Sequence, residues 1–296
     1  MNDWGQSGCG SANLKGAFFM AEPLYYWENP AVIQENKEEG HVIAMPYDDF
    51  ASAAARGQSP YQKSLNGFWR FYWQMGVEGL PEHFQAESFD DRAWDTIEVP
   101  GVWQVQGYGK PVYLSSSYPD AIETAKDKIP AIDHDKNEVG IYRTCFTVPE
   151  QWEGMQVFLH FGAVKSAFFL YINGRRVGYS QGSMTPAEFR ITEYLHEGEN
   201  QLTAEVYRYS DGTYLEDQDM WFLSGIYRDV YLYAEKEIYL RDFYARAELD
   251  EACEDAVLSI WTGVVNFSGK AVEDISLEAA LIGQDTLSFE PLELVA

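Results

Sequence analysis

Ala167-Phe168-Phe169-Leu170-Tyr171-Ile172-Asn173-Gly174-Arg175-Arg176-Val177-Gly178-Tyr179 is the stretch whose reading decides the fold. An apolar run stops at Asn-Gly, the dipeptide that best tolerates left-handed backbone at both centres of a two-residue turn. The chain then returns through Val177-Gly178-Tyr179, so the stretch reads as strand, tight turn, strand. Just upstream, Val157-Phe158-Leu159-His160-Phe161 is a second apolar run of strand length. Downstream, Leu202, Ala204 and Val206 alternate with Thr203, Glu205 and Tyr207, a period of two that predicts a half-buried strand.

Working outward, Phe68-Trp69-Arg70-Phe71-Tyr72-Trp73 is aromatic-rich and follows Asn66-Gly67, which predicts a strand entered by a turn. Residues 226–233 read as another strand, and residues 48–56, with their alanines, as a short helix. Strands at this density with few helical periods predict an all-β protein built as a jelly-roll β-sandwich. Residues 1–24 carry no period and read as a disordered N-terminus, with Met20 an alternative start to Met1. Residues 25–59 read as an extended arm and residues 60–235 as the jelly roll. Residues 239–249, 256–267 and 275–282 predict three further strands. The 61 residues from 236 to 296 fall short of the roughly 100 of an immunoglobulin-like β-sandwich, so an incomplete one is expected there.

The 296 residues carry 47 Asp+Glu against 21 Lys+Arg, a formal net charge of −26. That field repels phosphate backbones and anionic lipid, so neither nucleic acid nor a membrane is an expected partner. No apolar run reaches the length of a membrane helix. Cys9, Cys145 and Cys253 are odd in number and far apart, which argues against a disulfide framework or a zinc site and for a cytoplasmic setting. Cys145 sits in an apolar stretch and reads as a small buried hydrophobe. His160, in an apolar strand, reads as a satisfied structural residue rather than a base.

The segment Ser210-Asp211-Gly212-Thr213-Tyr214-Leu215-Glu216-Asp217-Gln218-Asp219-Met220-Trp221 concentrates four carboxylates beside a tryptophan. Three readings stay open on composition: a hard-cation site built from oxygen ligands, a sugar contact, or an acidic turn bonded to its own backbone. If residues 216–221 are extended, Asp217 and Asp219 share a face. Two carboxylates on one strand face are badly placed to flank a glycosidic bond from both sides, so a catalytic pair is rejected.

Together these segments resemble the bacterial β-galactosidases of glycoside hydrolase family 2. The resemblance rests on Trp27-Glu28-Asn29-Pro30, Ser64-Leu65-Asn66-Gly67-Phe68-Trp69-Arg70-Phe71, Val99-Pro100-Gly101-Val102-Trp103-Gln104, and Asn173-Gly174 through Gln181. Its longest run is Ser210 to Arg228, and Leu215-Glu216-Asp217-Gln218-Asp219-Met220-Trp221 favours the galactosidase branch over the β-glucuronidases and β-mannosidases. The resemblance implies that Asp219 ligates a sodium ion and contacts the galactose, with Trp221 supporting its loop. It places Ser115 where relatives usually carry an asparagine that contacts substrate hydroxyls, and Lys165 where they carry another asparagine, here expected to be structural or on the surface.

The resemblance also implies a retaining enzyme acting on terminal β-D-galactosides such as lactose. Its acid/base and nucleophile glutamates, and its magnesium ligands, belong to a later (β/α)₈ barrel that this sequence lacks. No catalytic residue is therefore expected in this chain, which alone should be inactive. Its expected partners are the galactoside, a barrel in the same or another chain, and further copies of itself contacting through the arm. A stand-alone carbohydrate-binding module and a split-enzyme subunit are the alternatives.

Overall fold

A computed structural model of the chain describes residues 25–279, apart from 217 and 274. The expected disorder of residues 1–24 lies outside the described residues. Short strands dominate. The first half holds β1 (Gln34–Glu35), β2 (Gln62–Ser64), β3 (Gly67–Met75), β4 (Asp95–Val99), β5 (Val112–Tyr113) and β6 (Glu138–Thr147). The hairpin region follows with β7 (Gln156–Phe161), β8 (Val164–Lys165), β9 (Ala167–Ile172), β10 (Arg175–Gln181) and β11 (Ala187–Arg190). Then come β12 (Glu199–Tyr207), β13 (Trp221–Phe222), β14 (Gly225–Ile226), β15 (Val230–Glu235), β16 (Ile238–Leu249) and β17 (Ala256–Asn266). Among the described residues no helix is long and apolar enough to cross a membrane.

Two antiparallel sheets face each other: seven strands in the order β1-β10-β9-β12-β6-β3-β4, and four in the order β11-β7-β15-β2. Neither closes into a barrel. Between them lies a core that includes Trp69, Phe71, Phe168, Leu170, Leu202 and Val206 from one sheet and Leu159, Phe161, Phe189 and Leu232 from the other. The Asn173-Gly174 turn joins β9 to β10 with positive φ at both residues (51° and 72°), the geometry that matches the twist of paired strands. The expected short helix is α1 (Phe50–Ala54), capped by the Asp49 side chain on the Ser52 amide.

The seven-stranded sheet is covered on its outer face too. Trp27, Phe84, Ile122 and Ile132, from the arm and from the long connections, pack on Ile141, Phe169, Tyr179, Tyr207 and Tyr209. Arg143, almost fully buried, fastens part of this cover. Its guanidinium bonds Asp91 (2.8 Å), the carbonyls of Phe84 and Ala86, Thr203 Oγ1 (3.2 Å) and Gln201 Oε1 (3.0 Å). For this reason β12 is buried on both faces and not half-buried as its alternation predicts. Its polar side chains are paired in place: Glu205 accepts from Tyr207 (2.5 Å) and Tyr171 (3.1 Å).

Other expectations are corrected. Cys145 is exposed, because the cover on the outer face of β6 stops after Arg143; its Sγ lies 3.6 Å from Gln201 Oε1. Residues 226–233 are not one strand: β14 and β15 are separated where Asp229 and Ala163 carbonyls take the Gly162 and Tyr227 amides. Of the expected strand 275–282, residues 275–279 join no strand, and 280–282 lie outside the described residues. Among the described residues β16 and β17 pair only with each other.

The arm lies on its own sandwich. β1 pairs with β10, and Gly178 lets it do so, since a side chain there would collide with the Glu35 carbonyl. Further along, His41 Nε2 meets Glu188 Oε1 at 2.9 Å, and His160 Nδ1 meets Oε2 of the same carboxylate at 3.0 Å. Burial works to raise the Glu188 carboxyl, but the bonds from His160 and Tyr233 outweigh it and hold it below the usual range. His160 is thus a satisfied structural residue.

Candidate functional site

The acidic segment is built from the end of β12. The Ser210 amide donates to Thr213 Oγ1 (3.0 Å) and the Thr213 amide to the Ser210 carbonyl (2.8 Å), which starts a single helical turn, Asp211–Tyr214. Gln181 donates to Asp211 Oδ1 (2.7 Å), Tyr214 donates to the Ala131 carbonyl (2.8 Å), and Glu216 accepts from the Ser183 amide (2.9 Å). Burial pushes the Asp211 carboxyl above the usual carboxylate range. Two of the segment's carboxylates, Asp211 and Glu216, are therefore spent on folding the loop. Asp217 lies outside the described residues.

Asp219 differs from them. It sits in a bend just ahead of β13, exposed, and residues 218–220 join no strand. Its Oδ1 accepts a hydrogen bond from the Tyr113 hydroxyl at 2.6 Å. That charge-assisted bond raises the Tyr113 hydroxyl above its ordinary pKa. Tyr113 stands opposite Trp221 in the β5–β13 ladder, with ring centroids 5.7 Å apart. Both rings are open to solvent, at 47% and 55% exposure.

Ser115 is exposed in a bend two residues after β5. The two-strand ladder thus brings the Ser115 loop and the Asp219 loop to one place. A second tie is Tyr118, whose hydroxyl reaches the Tyr214 carbonyl at 3.3 Å. Beneath the ladder, buried Arg208 donates from Nη2 to the carbonyls of Lys110 (2.8 Å) and Phe222 (2.9 Å), the entry to β5 and the end of β13. Its Nη1 pairs with Glu138, a buried carboxylate that also accepts from Trp73 Nε1 at 3.2 Å. Lys165 is buried, paired in register with Gly225, its Nζ 5.6 Å from the centre of the Phe222 ring. Of its two expected places, the structural one is observed.

Sequence reading missed Tyr113 and the Arg208–Glu138 rivet. Tyr113 and Asp219 are 106 residues apart, and no local spacing announces such a pair. Among the described residues no three His, Cys, Asp or Glu side chains converge as a metal cage. The site is a shallow surface: one free-standing carboxylate, one hydroxyl loop and two exposed rings.

Comparison with known proteins decides the family. Residues 62–236 match the family described as glycosyl hydrolases family 2, sugar binding domain. The chain belongs to glycosyl hydrolase family 2. It is 42% identical over 255 residues to a beta-galactosidase of Priestia megaterium, covering 86% of this chain and 25% of that protein. A beta-galactosidase of Vibrio cholerae is 43% identical over 236 residues, 80% of this chain and 22% of that protein. This family 2 chain therefore spans about a quarter of the length of these curated relatives. Among solved structures, Bacteroides uniformis beta-glucuronidase superposes with a TM-score of 0.51 at 25% identity, over 67% of this chain and 21% of that one. A beta-glycosidase from Bacteroides vulgatus, at 21% identity, shares the fold with a TM-score of 0.52 over 71% of this chain and 25% of that one.

Proposed function

We propose that this chain is the sugar-binding N-terminal region of a retaining β-galactosidase acting on terminal β-D-galactosides such as lactose. In this reading it lends the Asp219 and Ser115 loops to an active site whose glutamates belong to a barrel elsewhere in the parent protein or in a partner chain. The observation that carries the reading is Asp219 itself. Among the described carboxylates of the segment it is the exposed one, clipped by Tyr113 beside an exposed tryptophan, while Asp211 and Glu216 are tied inward. Such a carboxylate accepts hydroxyl hydrogen bonds, Ser115 both donates and accepts, and an indole face covers the C–H face of a pyranose.

Sodium fits this donor set as a shared ligand. Each carboxylate oxygen has two lone pairs, so the bond from Tyr113 leaves Asp219 able to face a cation. A single carboxylate is an incomplete shell for a hard cation, so carbonyl oxygens, water or the sugar's own hydroxyls have to complete it. A bound sodium ion would hold substrate oxygens electrostatically. The residues of this chain bind and orient the sugar, and such positioning lowers the barrier for the bond-breaking groups without taking part in it.

The test is Asp219→Asn in the parent enzyme. Loss of a hydrogen bond to a charged group costs about 1.5–3 kcal/mol, so kcat/KM should fall by about one to two orders of magnitude. Activation by sodium should disappear with it. Unchanged sodium dependence in the variant would overturn the assignment of Asp219.

A further inference from the structure

Away from the Asp219 surface, where the arm crosses the end of the four-stranded sheet, lies a cleft of about 390 Å³. It falls in the size range of small-molecule sites. Tyr47, Asp48, Tyr61 and Met155 form its walls, and Glu235 and Tyr239 its inner end. Glu235, the last residue of β15, is only 7% exposed. Among the described residues its carboxylate has no hydrogen-bond or ion-pair partner. Every other strongly buried acid of the sandwich has one: Glu138 has Arg208, Glu188 has two histidines, Glu205 has two tyrosines. The neighbouring Tyr239 hydroxyl, also buried, faces the Arg241 guanidinium and leaves Glu235 without a partner.

A buried carboxylate without a partner is costly, and a built cleft in front of it gives a ligand access. Two features choose the ligand's chemistry. Among the described residues the second acid in the cleft is Asp48, which already accepts the Tyr61 hydroxyl on Oδ1 (2.7 Å), and they form no multi-oxygen cage for a metal ion there. Three tyrosines, Tyr47, Tyr61 and Tyr239, line it instead, and tyrosine faces attract organic ammonium groups. We propose that this cleft binds a small organic amine in its ammonium form, held by the Glu235 carboxylate and the surrounding tyrosine rings.

Burial raises the Glu235 carboxyl to about 8, so near neutrality it is largely protonated. Capture of an ammonium ion then expels that proton, and no net charge enters the cleft. The other titratable or charged groups facing it are Asp48, Lys236, Arg241 beside Tyr239, and the hydroxyls of Tyr47, Tyr61 and Tyr239. Amine affinity should therefore rise between about pH 6 and pH 8, by up to about tenfold per pH unit.

The experiment is calorimetric titration of the 296-residue chain with ethylammonium chloride at pH 8.5, against sodium chloride and calcium chloride at equal ionic strength. Saturable millimolar binding of ethylammonium alone is the expected result. Glu235→Gln should weaken it by at least about tenfold. That variant orphans no partner, so it should fold with an undiminished melting temperature. Lys236→Met should leave binding within about twofold, because Lys236 follows the end of β15 with an exposed side chain whose charge solvent and salt screen. The proposal is overturned if no saturable uptake is seen, if the glutamine variant binds equally, or if calcium competes. It is equally overturned if binding appears only in Lys236→Met, which would make the chain's own lysine the occupant.

Discussion

The sandwich and the β16–β17 hairpin are both antiparallel β structure, yet they solve different problems. In the sandwich the long strands are covered, and most polar groups that end up inside, Glu235 apart, are given partners, as with Arg143, Arg208 and Glu205. In the hairpin the ladder is long and regular apart from one bulge between Leu240 and Asp242, but little is covered. Phe243, Tyr244, Leu249, Val257 and Trp261 all remain exposed. Backbone pairing is satisfied in both regions, so pairing does not distinguish them. Burial does, and the cost of altering a side chain should follow burial, not strand membership.

The sharpest test is Glu138→Gln. It leaves the Arg208 guanidinium buried without its counter-charge, a loss on the order of 3–5 kcal/mol. Urea unfolding should show a large fall in midpoint with the slope retained. A loss under about 1 kcal/mol would mean that the pair is no better than a surface ion pair. The same variant loosens the rivet under the β5–β13 ladder, so the Tyr113–Asp219 loops should exchange amide hydrogens faster than the core strands.

How much of this was legible in the sequence follows from the range of each signal. The Asn173-Gly174 turn is a local event and stands where it was expected. The double burial of β12 was not readable from its alternation, because the cover comes from residues 27, 84, 122 and 132, far from it in the chain. Its polar positions, Thr203, Glu205 and Tyr207, look like a solvent face to any period-two argument. Asp219 was singled out only through a family resemblance. Spacing could not separate it from Asp211 and Glu216, which differ from it by the partners that folding supplies, Gln181 and Ser183.

Next in size is Leu170→Ala in β9. Leu170 is fully buried between the sheets, so truncation removes transfer energy and leaves a cavity, costing about 2–5 kcal/mol. The midpoint of urea unfolding reads this directly. A cost below about 1 kcal/mol would show that the sheets collapse to refill the gap, and that the core is less tightly specified than its interdigitation suggests.

The smallest effect belongs to the hairpin and is the most informative about it. Trp261 lies in β17 with 55% of its surface open, and its main neighbour is Tyr244 across the ladder, at 5.4 Å between centroids. An aromatic cross-strand pair contributes roughly 0.2–1 kcal/mol. Serine at this position keeps every backbone bond of the ladder and removes an exposed ring, so Trp261→Ser should shift the unfolding midpoint of this chain by no more than about 1 kcal/mol. The contrast with Leu170→Ala, a residue of the same strand type, then measures what sheet membership is worth without burial. A cost of several kcal/mol at Trp261 would break the comparison, because a ring that stabilises that much must be covered by something in solution. The hairpin's open face would then have to be counted as part of a core, and its strands would behave like those of the sandwich.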